Sequence, residues 1–175
     1  QANADWTHTN SIDYNAELDQ IVLSPRNFSE LWIIDHSTTS AQATSHSGGN
    51  SGKGGDLLYR WGNPQTYDAG TSTDQQLFVQ HDAEWIEDDC PGAGNILIFN
   101  NGQGRTTGNY SSIEEIVPPV SGSNYTLVAG NAYGPVAPTW TYTSTPTTDF
   151  YAERISGAQR LPNGNTLICE GTTGR

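Results

Sequence analysis

Methionine is absent from this chain, cysteine occurs only twice, and lysine and arginine together number seven. No run of about eighteen apolar residues occurs, which excludes a membrane-spanning helix. Against the seven basic residues stand nineteen acidic ones, a net charge of −12. Nucleic acid needs a basic face, so a nucleic-acid partner is excluded, and an anionic membrane surface is disfavoured on the same ground. An anionic substrate would need a local cationic pocket within this negative whole. The two cysteines, Cys90 and Cys169, are too few for a zinc site and are not paired as Cys-x-x-Cys. Cys90 is expected in a hairpin loop and Cys169 inside a strand of the next repeat. Those positions do not favour a bridge, whose Cα atoms must lie within about 7 Å. The chain opens on Gln1 with no charged-plus-apolar leader and is expected to be a mature or excised segment.

No long window carries apolar residues at helical spacing, so little helix is expected. What is abundant instead is Gly, with 19 residues, together with Thr, Ser, Asn and aromatic side chains. That mixture suits short strands joined by many turns.

Three segments repeat. His8-Thr-Asn-Ser-Ile-Asp-Tyr is followed by Asp19-Gln-Ile-Val-Leu-Ser-Pro-Arg26. His81-Asp-Ala-Glu-Trp-Ile is followed by Gly94-Asn-Ile-Leu-Ile-Phe-Asn-Asn and ends at Arg105. Ser156-Gly-Ala-Gln-Arg-Leu is followed by Gly164-Asn-Thr-Leu-Ile-Cys-Glu-Gly and ends at Arg175. The starting positions are offset by 73 and 75 residues. A polar turn divides each copy, so each reads as a β-hairpin. Residues 29–35 and 112–117 add a strand after the first and second hairpins. Residues 57–61 and 139–142 are expected to open the second and third units. The fold class is therefore all-β: a partial propeller of about three four-stranded antiparallel blades, in repeats near 1–35, 56–120 and 137–175. The period exceeds that of compact blades, and the polar stretches 36–56 and 121–138 account for the excess as inserted loops. A β-sandwich is the competing architecture. On the propeller reading the first strand of the first unit and the last strand of the third are missing. Further chain or a second molecule is then expected to cover the open edges, which favours self-association.

Chemistry-bearing residues fall at matching repeat positions. His8 and His81 share one slot, where successive blades would bring two imidazoles to a common channel. The plainer reading is two strand-end histidines bonded to backbone. His36 and His46 adjoin Ser/Thr/Gly-rich sequence and read as solvated loop residues. Arg26, Arg105 and Arg175 form a second matching set, and Asn10 shares a strand face with His8. Arg, Asn and protonated His are the donors an anionic oxygen group requires. For Arg105 and Arg175 a structural bond to backbone is an equal alternative. Trp6, Trp61, Trp85 and Tyr14 are candidates to stack on an aryl ring, with core packing as the plainer role.

At these residues the chain resembles a known family. Thr7-His-Thr-Asn-Ser-Ile-Asp-Tyr with Ile21-Val-Leu-Ser-Pro-Arg-Asn is similar to the arylsulfotransferase pattern His-x-Asn-Ser and Ser-x-Arg, including the eighteen residues between His8 and Arg26. Gln80-His-Asp with Ile98-Phe-Asn-Asn-Gly-Gln-Gly-Arg105 resembles that family's nucleophile blade, and residues 156–171 resemble the blade after it. The resemblance implies a six-bladed propeller, often exported to the periplasm or beyond. It implies transfer of a sulfuryl group from an aryl sulfate to a phenol through a sulfohistidine, without the nucleotide donor PAPS and without a cofactor. His81 would then be the nucleophile and His8 the acid/base or donor. Arg26 and Asn10 would hold the sulfuryl oxygens, and Arg105 and Ser156 would line the substrate site. A further histidine of the family pattern, on a blade before His8, has no counterpart here. Sequons at Asn27, Asn109 and Asn124 are glycosylation candidates in an exported setting. They support the competing functional class, a non-catalytic propeller that binds partners or builds an extracellular assembly.

Overall fold

The computed structural model describes residues 4–175. Among these, alternation of apolar and polar residues generates twelve strands and very little helix. The first sheet holds β1 (Thr9–Asn15), β2 (Gln20–Pro25), β3 (Leu31–Asp35) and β4 (Tyr59–Trp61), hydrogen-bonded in that order. The second holds β5 (His81–Trp85), β6 (Ile96–Asn100), β7 (Ser112–Ile116) and β10 (Trp140–Tyr142), again consecutive neighbours. Between β7 and β10 sits a small hairpin of β8 (Val120–Ser121) and β9 (Asn124–Tyr125). β11 (Gly157–Arg160) and β12 (Thr166–Cys169) form a last hairpin. Every pairing is antiparallel.

Two strands lie on the other side of the boundary expected from the sequence. The segment at 57–61 pairs with β3 and closes the first sheet; the one at 139–142 pairs with β7 and closes the second. Each sheet thus opens on the strand at the histidine slot. Side-chain chemistry explains the choice. Pairing with β3 sets Arg60 against the wholly buried Glu30, through two hydrogen bonds of 2.7 Å. It also adds Tyr59 and Trp61 to the core beside Leu31 and Ile33.

The second sheet is covered on both faces, which follows from the two-residue period of a strand. Ile96 and Ile98 pack with Val22, Leu31, Ile33 and Tyr59 of the first sheet. Leu97 and Phe99, pointing the other way, pack with Phe150, Ala152 and Ala158. Burial of each such side chain contributes roughly 1.5–3 kcal/mol relative to exposure. The segment after β7 returns to the first sheet, where Tyr59 donates to the Gly134 carbonyl and Trp61 to that of Pro135.

Side chains of one leading strand accept amides of the next. Ser11 Oγ accepts from Ala83 N–H at 2.9 Å, and Asp13 Oδ2 from Trp85 N–H at 2.8 Å. Asp82 Oδ2 accepts from Ala158 N–H at 2.8 Å. Asp13→Ala should therefore lower stability by about 1–3 kcal/mol, since it strands the Trp85 amide. Asp13→Asn, which keeps an acceptor, should recover most of the loss. Urea unfolding of both variants checks this; two equal losses would assign the effect to charge.

Candidate active site

The sheet stack sets β1 beside β5 and β5 beside β11, so the repeat slots at 8, 81 and 156 open three neighbouring strands. Asn10 Nδ2 donates to the Gln80 carbonyl at 2.7 Å, which ties the start of β1 to the residue before His81. Both matching hairpins are irregular at this end, with register shifts between Thr9 and Ile12 and between His81 and Ala83. Such bulges re-aim side chains next to active sites. His8 and Asp82 accordingly adopt left-handed backbone, with φ of 47° and 52°.

His81 is 8% exposed. Its Nδ1 lies 2.7 Å from Asn101 Oδ1, and Ile155 N–H donates to its Nε2 at 3.2 Å. Ile155 and Val79 are β-branched residues with φ of 47° and 53°. Strained backbone of this kind persists where surrounding structure over-determines it. Burial lowers the His81 pKa below the ordinary imidazole value; the hydrogen bond to Asn101 opposes the shift, and the charges of Arg26 and His8 add to it. Arg26 N–H donates to the His8 carbonyl at 3.2 Å, which pins the arginine to the same strand end. The Arg26 guanidinium donates to Asn27 Oδ1 at 3.4 Å. His8 Nδ1 meets Asp5 Oδ2 at 2.5 Å. Arg26 is thus bonded to His8 at the start of β1, and Asn10 to the residue before His81 at the start of β5.

The family model described as Arylsulfotransferase (ASST) matches residues 1–175, the whole sequence. The chain belongs to the arylsulfotransferase family. No curated protein matches it.

Other expected site residues of this arylsulfotransferase-family chain serve the scaffold. Arg105 donates to Ser112 Oγ at 2.7 Å and to the buried Glu114 at 3.4 Å, and its guanidinium lies over the rings of Phe78 and Tyr110. Its charge is directed at a carboxylate of its own sheet rather than offered to an anion. Ser156 Oγ accepts from Gly171 N–H at 2.9 Å and closes the last hairpin. Asn10 Oδ1 is buried with no protein partner among the described residues. Trp61 and Trp85 are core residues, Tyr14 packs on His36, and Trp6 stands 62% exposed, edge-on to Phe28. Trp6 also offers its carbonyl to Asn27, beside Arg26, so it is the aromatic nearest in sequence and bonding to the histidine slot. His36 and His46 are exposed and pair with Asp19 and Asp56. The cysteines are unbridged. Asn27 Nδ2 donates to the Asp5 carbonyl and Asn124 Nδ2 to that of Ser51, contacts a glycan would break, whereas Asn109 is exposed. Among the described residues no helix is long and apolar enough to cross a membrane.

Sequence reading missed Asn101, Asp5, Ile155 and Glu84. Asn101 sat inside the quoted nucleophile-blade motif, but nothing in one sequence distinguished it from Asn100. Glu84, on β5, has its carboxyl pushed up to about 7 by burial and by Asp82, Asp13 and Glu87. Its folded pKa exceeds the unfolded value near 4.5. Stability linked to it is present below pH 4.5 and lost as pH rises through 7. Glu84→Gln should stabilise the protein at pH 8 by about 1 kcal/mol, allowing for solvent screening of a partly exposed group, and change little at pH 4. Denaturation midpoints at the two pH values test the sign.

Proposed function

We propose that His81 is the nucleophile of a PAPS-independent aryl sulfate:phenol sulfuryl transfer, at the axis of a propeller to which this chain contributes successive blades. The observation that carries the proposal is a buried His81 at the start of β5, beside strand β1, at whose start Arg26 N–H, from the end of β2, is bonded to the His8 carbonyl. Burial together with cationic neighbours keeps the His81 ring neutral, the form in which imidazole attacks.

In the first displacement the Nε2 lone pair attacks sulfur as the sulfur–aryl oxygen bond breaks. The bonding pair leaves on the phenolic oxygen, which takes a proton from His8. In the second, the acceptor phenol attacks sulfur, His8 takes its proton, and the sulfur–nitrogen pair returns to Nε2. Arg26, with a planar fork of donors, offsets charge on the sulfuryl oxygens through both steps. Asn10 keeps one amide hydrogen beyond the one given to Gln80 and can supply a second donor. Attack requires Ile155 N–H to leave Nε2. A contact of 3.2 Å to a strained left-handed residue is a weak restraint on that movement.

A propeller is supported by the repeat of whole sheets and by the two end faces of the stack. Ile12 at one end is 69% exposed and Leu167 at the other 58%, as strands awaiting further sheets would be. An exported setting agrees with the family and with the acidic, sequon-bearing surface. The same apolar end faces favour the second reading, a propeller used as a building block.

Incubation with p-nitrophenyl sulfate should place one sulfuryl group on His81, detectable by mass spectrometry, with release of nitrophenol and ping-pong kinetics. His81→Asn should abolish both. Arg26→Ala should slow transfer about 10²–10³-fold, and His8→Gln about 10²–10⁴-fold. Because burial lowers the His81 pKa, the rising limb of the labelling rate should have its midpoint below the ordinary imidazole value of about 6.5. Nitrophenol release undiminished in His81→Asn would overturn the assignment.

A further inference from the structure

We propose that Asn101 is a positioning residue that holds His81 in the tautomer with its proton on Nδ1 and its lone pair on Nε2. The proposal rests on the reading of His81 as nucleophile and deepens it. Asn101 is wholly buried, directly after β6. Its Nδ2 donates to the Ala152 carbonyl at 2.8 Å and to the Ile155 carbonyl at 3.0 Å. Both amide hydrogens are thereby engaged. A flipped amide would aim its oxygen at two carbonyl oxygens, so the side chain has one workable orientation. Its Oδ1 therefore faces His81 Nδ1 as an acceptor, and that nitrogen must carry the hydrogen. The donation of Ile155 N–H to Nε2 requires the same tautomer from the opposite side of the ring. The Asn101 backbone is fixed too, since Ser111 Oγ donates to its carbonyl at 3.0 Å.

An amide suits this place better than a carboxylate. Both accept from Nδ1–H, but a carboxylate would also favour the protonated ring, which cannot attack. His8, in the matching slot, faces the carboxylate of Asp5 instead. One position of the repeat thus carries two imidazoles with different partners, an arrangement that separates a nucleophile from a proton carrier. Asn101 also bonds the loop that bears Ile155, so the group that orients Nδ1 and the group that covers Nε2 are held by one side chain.

The test is a long-range ¹H–¹⁵N spectrum of the histidine rings in ¹⁵N-labelled protein, the His81 signals identified by their loss in His81→Asn. Wild type should show a protonated Nδ1 and a bare Nε2. In Asn101→Ala the proton should redistribute toward Nε2, and sulfuryl labelling of His81 should slow about 10–100-fold with KM little changed. An Nε2–H tautomer in wild type overturns the proposal without recourse to any variant, so a poorly folding Asn101→Ala does not shield it. An Asn101→Ala protein that keeps the Nδ1–H tautomer and the wild-type labelling rate also overturns it. Wild type with the Nδ1–H tautomer but no sulfuryl adduct supports the hold of Asn101 on the ring and overturns the nucleophile reading instead.

Discussion

Strand-to-strand bonds between sheets, in which Ser11, Asp13 and Asp82 accept amides of the following leading strand, set the register on which the candidate site depends. Face-to-face packing of sheets is non-directional and would tolerate sliding. A side chain that must meet one particular amide does not slide. The approach at the last contact is close: a Cβ on Gly157 would lie 2.2 Å from Asp82 Oδ2. These contacts set the strand that opens on His81 directly beside the one that follows His8.

The electrostatics of the site run against those of the molecule. The chain carries a net charge of −12, and on β5 burial, together with the nearby carboxylates of Asp82, Asp13 and Glu87, pushes Glu84 up to about 7. Yet at the bulged end of the same strand burial, and beyond it the charge of Arg26, lowers the pKa of His81.

Left-handed backbone clusters at the starts of the leading strands. Val79, His8, Asp82, Ile155 and Ser156 all have positive φ and all lie at the start of a leading strand. Regular β geometry would point these side chains and amides along the pleat. The left-handed turns instead aim the Ile155 amide at the imidazole and bury His81 against Asn101. A segment held by such contacts, and not by ladder hydrogen bonds, is the part of the fold best placed to move when substrate arrives.

The sequence alone determined the strand content, the three hairpins, the pairing of His8 with His81 across the repeat and the family, because these rest on local alternation, turn residues and motif spacing. It set His8 and His81 in matching slots, and the structure places those slots at the starts of the neighbouring strands β1 and β5. It misallocated residues 57–61 and 139–142, because a strand's own pattern states which faces are apolar and not which neighbour it bonds; Glu30 meeting Arg60 decides that in space. It could not separate Arg26 from Arg105, which occupy matching slots, because the difference lies in Glu114 and Ser112 beside one of them. Nor could it single out Asn101, whose role depends on Ala152 and Ile155 arriving from about fifty residues further along the chain. Periodicity is a local property and survives in one dimension; hydrogen-bond partnership between distant residues exists only once the sheets have stacked.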